Sequence, residues 1–149
     1  MTERFLILGL TTPMVPYHIV YTGQLRCEAT HDPSGVEIIT DAPTDNHGRG
    51  ESFSPTDLVA AGLGVCMLTT IGIATQNEQI NLGGSRVYVE KHMSADPPRR
   101  IAKIVVRIEF VAGIAEDQRP RIEHIARTCP VAKSIHPDIS VDVQFTYPD

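Results

Sequence analysis

The chain carries three cysteines, at positions 27, 66 and 129, and each sits in a different setting. Cys66 closes the uncharged stretch Ala60-Ala61-Gly62-Leu63-Gly64-Val65-Cys66. There it reads either as a small core hydrophobe or as a nucleophile. A thiol in mid-helix gains nothing from the helix dipole. At an ordinary pKa near 8.5 only about 3% is thiolate at neutral pH, and desolvation lowers that share further. As a nucleophile, Cys66 therefore needs a nearby cation, most simply an arginine, whose charge shifts a pKa by about 1–3 units. Cys129 lies in Thr128-Cys129-Pro130-Val131, where the proline ends one helix and opens the next. A helix N-terminus favours thiolate, so dipole logic alone selects Cys129 as the reactive thiol; the alternative is a boundary residue. Cys27, between Arg26 and Glu28 in a strand-like run, reads as structural. Cys129 with His124 or His136 would suit a cysteine hydrolase, but no oxyanion motif accompanies them.

Composition narrows the classes. The chain has 149 residues, 42% hydrophobic and 21% charged, with a net charge of -5. That is the profile of one ordinary globular domain rather than a disordered chain. No basic excess exists to displace counterions from nucleic acid or an anionic membrane. The cysteines stand 39 and 63 residues apart, which suits neither a disulfide scaffold nor a metal knuckle, and the six histidines form no HExxH pair. No metal site and no membrane span of about 18 apolar residues are expected. The apolar Phe5-Leu6-Ile7-Leu8 patch follows Glu3 and Arg4, with no net positive charge, and makes a poor signal peptide. A cytoplasmic chain is expected, with an N-terminal extension at 1–16 and a single domain at 17–149.

The elements that must position these thiols follow from pattern. Residues 17–30 mix β-branched, aromatic and polar types and read as a strand. Asp32-Pro33-Ser34-Gly35 is a type I turn signal, so a hairpin with a strand at 36–40 is expected. Residues 41–53 read as a loop. Ser54-Pro55-Thr56-Asp57 then starts a helix expected to reach about residue 76. Residues 58–74 carry no charge, so this helix is expected to be buried on every side. At about 30 Å it would run through the middle of the molecule or of a dimer. Gly62 and Gly64 point to close packing against it.

Strands at 86–93 and 101–111 follow. In the second, Ile104, Val106, Ile108 and Phe110 alternate with Lys103, Arg107 and Glu109, the pattern of an antiparallel sheet with one buried face. An amphipathic helix at 116–128 has Ile122, Ile125 and Ala126 as its inner stripe. A short helix at 131–135 and a strand at 141–147 close the chain. The order ββ-α-ββ-α-α-β points to an α+β fold with helices on one face of antiparallel sheets.

Ser54-Pro55-Thr56-Asp57-Leu58-Val59-Ala60-Ala61-Gly62-Leu63-Gly64-Val65-Cys66, followed 63 residues on by Cys129-Pro130-Val131, resembles the OsmC/Ohr family. Gly48-Arg49-Gly50-Glu51-Ser52-Phe53 and Met93-Ser94-Ala95-Asp96-Pro97-Pro98-Arg99-Arg100 are similar to its OsmC-like branch, over residues 17–147 in all. The resemblance implies an OsmC-like fold in which antiparallel sheets wrap long buried central helices in an intertwined homodimer. It also implies a thiol-dependent peroxidase acting on organic hydroperoxides in oxidative-stress defence. Cys66 would be peroxidatic and Cys129 resolving, with an external dithiol reductant of lipoyl type, borne by a partner protein, and no bound cofactor. The family's activating glutamate, ten residues before the first cysteine, falls here on Thr56. Asp57 is one residue off and Glu51 lies upstream; both are candidate carboxylates. Arg26 is the first candidate for the paired arginine and Arg49 the second. The alternative is a non-catalytic OsmC-like protein that binds an apolar small molecule in the dimer groove.

Overall fold

The structure, a computed structural model, describes residues 13–111 and 113–148. The Phe5-Leu6-Ile7-Leu8 patch and most of the expected extension lie outside the described residues. The chain folds as two compact units that meet in sequence between Pro55 and Thr56.

The first unit is a three-stranded antiparallel sheet, β1 (Tyr17–Gly23), β2 (Arg26–His31) and β3 (Val36–Asp41), in that order. The β2–β3 hairpin turns at Asp32-Pro33-Ser34-Gly35, with the Gly35 N–H donating to the His31 carbonyl at 2.8 Å. The single strand expected at 17–30 is instead two. The chain reverses at Gln24-Leu25, with φ of 52° and 63°. Neither residue type favours the left-handed region, so the turn left no compositional mark beyond Gly23. A 3-10 turn, Thr44–Asn46, interrupts the expected loop.

The second unit holds helix α1 (Pro55–Thr75, its proline contributed from the boundary), strands β4 (Arg86–Met93) and β5 (Ile101–Glu109), helices α2 (Arg119–Arg127) and α3 (Pro130–Ser134), and strand β6 (Ser140–Thr146). β4 pairs antiparallel with β5, as the alternation requires, but β6 pairs parallel to β5. The expectation of purely antiparallel sheets is corrected here. Helices α2 and α3 form a crossover that carries the chain back before β6 starts, and such a connection makes a parallel neighbour.

Leu63, Met67 and Ile71 of α1 pack into one core with Ile104, Val106 and Ile108 of β5 and Ile122 and Ala126 of α2. Each of these larger side chains, fully buried, contributes about 1.5–3 kcal/mol. Ile125 is only partly buried against that core. The α1 helix is not buried on every side within the chain. Ala60, Leu63, Gly64, Met67, Ile71 and Thr75 make one buried stripe, while Val65 and Ile73 are 65% and 63% exposed. One sheet covers one face of a helix, and the second apolar face needs another partner. The helix is also 21 residues long with mean hydropathy 2.0, enough by length and composition to cross a membrane, contrary to the sequence expectation. Asp57 and four threonines interrupt its apolar run.

A Cβ at Gly64 would lie 2.7 Å from Val89 Cγ2 and 3.0 Å from Val87 Cγ1, so close packing there is real. At Gly62 nothing lies within 4 Å, and that half of the expectation is not met within the chain. Valine is stiff at χ1 and cannot swing aside. Gly64→Ala should therefore lose about 1–3 kcal/mol to overpacking, more than the roughly 1 kcal/mol it gains in helix propensity. A lower urea midpoint with an unchanged slope would show it.

Candidate functional site

In the second unit, α1 presents Cys66 and the α2–α3 junction presents Cys129. Cys66 is partly buried, packs against the core and has its Sγ 3.8 Å from Thr70 Oγ1. Cys129 is fully buried and caps α3, its Sγ accepting from the Ala132 N–H at 3.4 Å. Pro130 fills the first helical position, where no N–H is needed. The two thiols are neighbours, near enough for Cys66 to act on the titration of Cys129. All three cysteines are free.

The dipole argument for Cys129 fails. Burial pushes its thiol pKa up; the Ala132 N–H pulls the other way and loses, and the neighbouring Cys66 raises it further. A five-residue helix supplies too little dipole to offset complete desolvation. Cys129 is thus a protonated, hidden thiol, and Cys66 is the one a solute can reach. The hydrolase reading weakens for the same reason. His136 Nδ1 accepts from the Asp138 N–H at 3.1 Å, within its own loop.

In the first unit, Arg26 and Glu51 come together. The Arg26 guanidinium donates to Glu51 Oε2 and, at 3.3 Å, to Asp41 Oδ2. Glu51 first, then Asp41, raises the arginine's already high pKa. Asp41 is 1% exposed and also accepts the Glu51 N–H at 3.0 Å. Its pKa lies below the ordinary carboxylate value, first because of that N–H and then because of Arg26. The loop that delivers Glu51 is tightly closed. The Gly50 N–H donates to the Ala42 carbonyl at 3.2 Å, and a Cβ at Gly48 would fall 1.7 Å from that same carbonyl oxygen. Arg49 is exposed, with its backbone N–H toward Asp41.

Asp57 is placed differently from Glu51. Lys91 of β4, only 14% exposed, donates from Nζ to Asp57 Oδ1 at 2.6 Å and to Thr56 Oγ1 at 2.8 Å. The pair pins the first turn of α1 to the sheet, and the carboxylate also faces the positive helix end. Lys91→Met should lower the chain's stability by about 1 kcal/mol, read from thermal melts. Among the described residues no group of three or more His, Cys, Asp or Glu side chains is placed to hold a metal.

Sequence reasoning missed Asp41 and Lys91. Asp41 was within reach: the Asp32–Gly35 turn sets His31 opposite Val36, and counting outward sets Arg26 opposite Asp41. Nothing in the alternation of β4 singles out Lys91.

The family model for OsmC-like protein matches residues 48–144. Among solved structures, the chain is 46% identical to a Psychrobacter arcticus protein provisionally described as an osmotic stress induced and detoxification response protein, with a TM-score of 0.84 over 90% of this chain and 97% of that one. It shares its fold with a Legionella pneumophila organic hydroperoxide resistance protein (TM-score 0.70, 16% identity, 90% and 97% covered). An Elizabethkingia anophelis organic hydroperoxide resistance protein is similar in the same sense (TM-score 0.72, 16% identity, 93% and 99% covered). Among curated proteins, none matches. With two-thirds of its length in the family model and a near relative across nine-tenths of it, the chain belongs to the OsmC-like family.

Proposed function

We propose that the protein is a two-cysteine peroxidase that reduces organic hydroperoxides. The observation that carries this is the pairing of a reachable Cys66 with a buried Cys129 in one chain. The Cys66 thiolate attacks the outer peroxide oxygen. The O–O bond breaks, the S–O bond forms, and the alkoxide takes a proton and leaves as alcohol. The Cys129 sulfur then attacks the Cys66 sulfenic acid; its proton and the hydroxyl depart as water, and a disulfide remains. A dithiol carrier of lipoyl type returns both sulfurs to thiols by exchange.

Burial suits Cys129 to the second role, because a thiol out of reach of peroxide meets only the sulfur beside it. The apolar residues around Cys66 favour a bulky alkyl hydroperoxide over hydrogen peroxide. The family resemblance calls for an arginine paired with a carboxylate; of the two candidates, Arg26, paired with Glu51, is taken here as the thiolate's cation. Stopped-flow oxidation of the reduced protein by cumene hydroperoxide and by hydrogen peroxide tests the reading. Faster reaction with the organic peroxide supports it. Slow reaction with both, and no disulfide, leaves a binding protein for an apolar small molecule.

The second apolar face of α1 fits burial against a second copy. So does one face of the first sheet, where Tyr17, Ile19, Tyr21, Val36 and Ile38 are all exposed. Val65→Lys is expected to shift the sedimenting species from roughly twice the chain mass toward the single chain, because a desolvated lysine there has no partner.

A further inference from the structure

Arg26 and Asp41 stand directly opposite each other in the β2–β3 register, on the same face of the sheet. The Glu51 partner is 56% exposed and the arginine 30%. An exposed ion pair biases a side chain by only about two- to fivefold, too little to fix a guanidinium for chemistry. Asp41 differs in kind. It sits on a strand, is almost fully buried, and accepts from two elements at once: the Arg26 guanidinium of β2 and the Glu51 N–H of the loop. A buried carboxylate must keep its donors, so each contact holds the others in place.

We propose that Asp41 is the positioning residue of the Arg26 site: its buried carboxylate sets the guanidinium and the Glu51 loop together, and Glu51 completes the pair from outside. This rests on the reading of Arg26 as the cation that serves Cys66. Asp41 touches no substrate; it acts through Arg26. Glu51, on the rim, tunes the arginine, while Asp41 decides whether the arginine is there.

Two quantities are measured: the rate of oxidation by cumene hydroperoxide and the pH midpoint of Cys66 alkylation by iodoacetamide. They are compared in wild type, Asp41→Asn, Arg26→Met and the double variant, all as full-length chains. Asparagine keeps an oxygen for the Glu51 N–H and removes the charge that faces Arg26. The midpoint is expected to rise by about one unit in Asp41→Asn, with oxidation about tenfold slower. In the Arg26→Met chain, adding Asp41→Asn should change either quantity by less than about twofold, since residues acting as a unit are not additive.

Electrostatics alone predicts the opposite sign, because deleting a negative charge beside Arg26 lowers a thiol pKa. A downward midpoint therefore overturns the proposal. So does an Asp41→Asn effect that persists in full beside Arg26→Met. An Arg26→Met chain as fast as wild type, with an unmoved midpoint, sinks instead the reading of Arg26 itself. Melts by circular dichroism establish that each chain is folded. If Asp41→Asn is not, Asp41→Glu replaces it: the charge stays, the guanidinium moves out by a methylene, and the same slowing is expected. Wild-type rates in that variant would contradict the proposal.

Discussion

Cys66→Ser is expected to lower the rate of hydroperoxide reduction by a factor of about a thousand or more. A serine hydroxyl is not ionised near neutral pH and is a far weaker nucleophile toward an O–O bond than a thiolate. Cys129→Ser is expected to behave differently. Serine is among the best N-caps, so it can accept from the Ala132 N–H and preserve the start of α3. The first oxidation should persist at near wild-type rate, the sulfenic acid on Cys66 should be trapped by dimedone, and excess peroxide should carry it to sulfinic acid. If the helix dipole governed reactivity, the two variants would exchange phenotypes. Burial of Cys129 and its raised pKa say they will not. Stopped-flow rates with intact-mass analysis separate the patterns.

Arg26→Met is expected to slow oxidation of Cys66 at neutral pH by about ten- to thirtyfold, because a cation that lowers an ordinary thiol pKa by about 1–3 units raises the thiolate share from about 3% to between about a quarter and nearly all of it. It also strips Asp41 of its cation. The folded-state pKa of Asp41 is depressed, so its contribution to stability is present above the unfolded value and lost as pH falls through the folded one. Acid should therefore lower the wild-type melting temperature, and Arg26→Met should lose at neutral pH part of what wild type loses in acid. Melts at about pH 7 and about pH 3 check this; an identical acid-induced drop in both chains would show that Arg26 does not hold Asp41.

Local signals carried much of the fold. The Asp32–Gly35 turn, the Ser54-Pro55 helix start and the alternation from Ile104 to Phe110 each act over a few residues, and each is observed, the alternation broken only at Val105, which is buried too. What failed was set by tertiary structure. The reversal at Gln24-Leu25 uses residues that composition does not mark as a turn. The parallel pairing of β6 depends on where α2 and α3 carry the chain. The cysteine assignment is instructive: dipole reasoning reads only the sequence neighbours of Cys129, whereas its pKa is set first by the core closing around it. Choosing Glu51 over Asp57 as the partner of Arg26 likewise needed Lys91, which comes from a strand more than thirty residues away and claims Asp57 for the helix end.

The most direct test is to treat the reduced protein with one equivalent of cumene hydroperoxide and map its peptides by mass spectrometry without reduction. The account predicts an intramolecular Cys66–Cys129 bridge, a loss of two hydrogens from the intact mass, and Cys27 still alkylatable. An unconsumed peroxide, or a bridge that uses Cys27 in place of either partner, would contradict it.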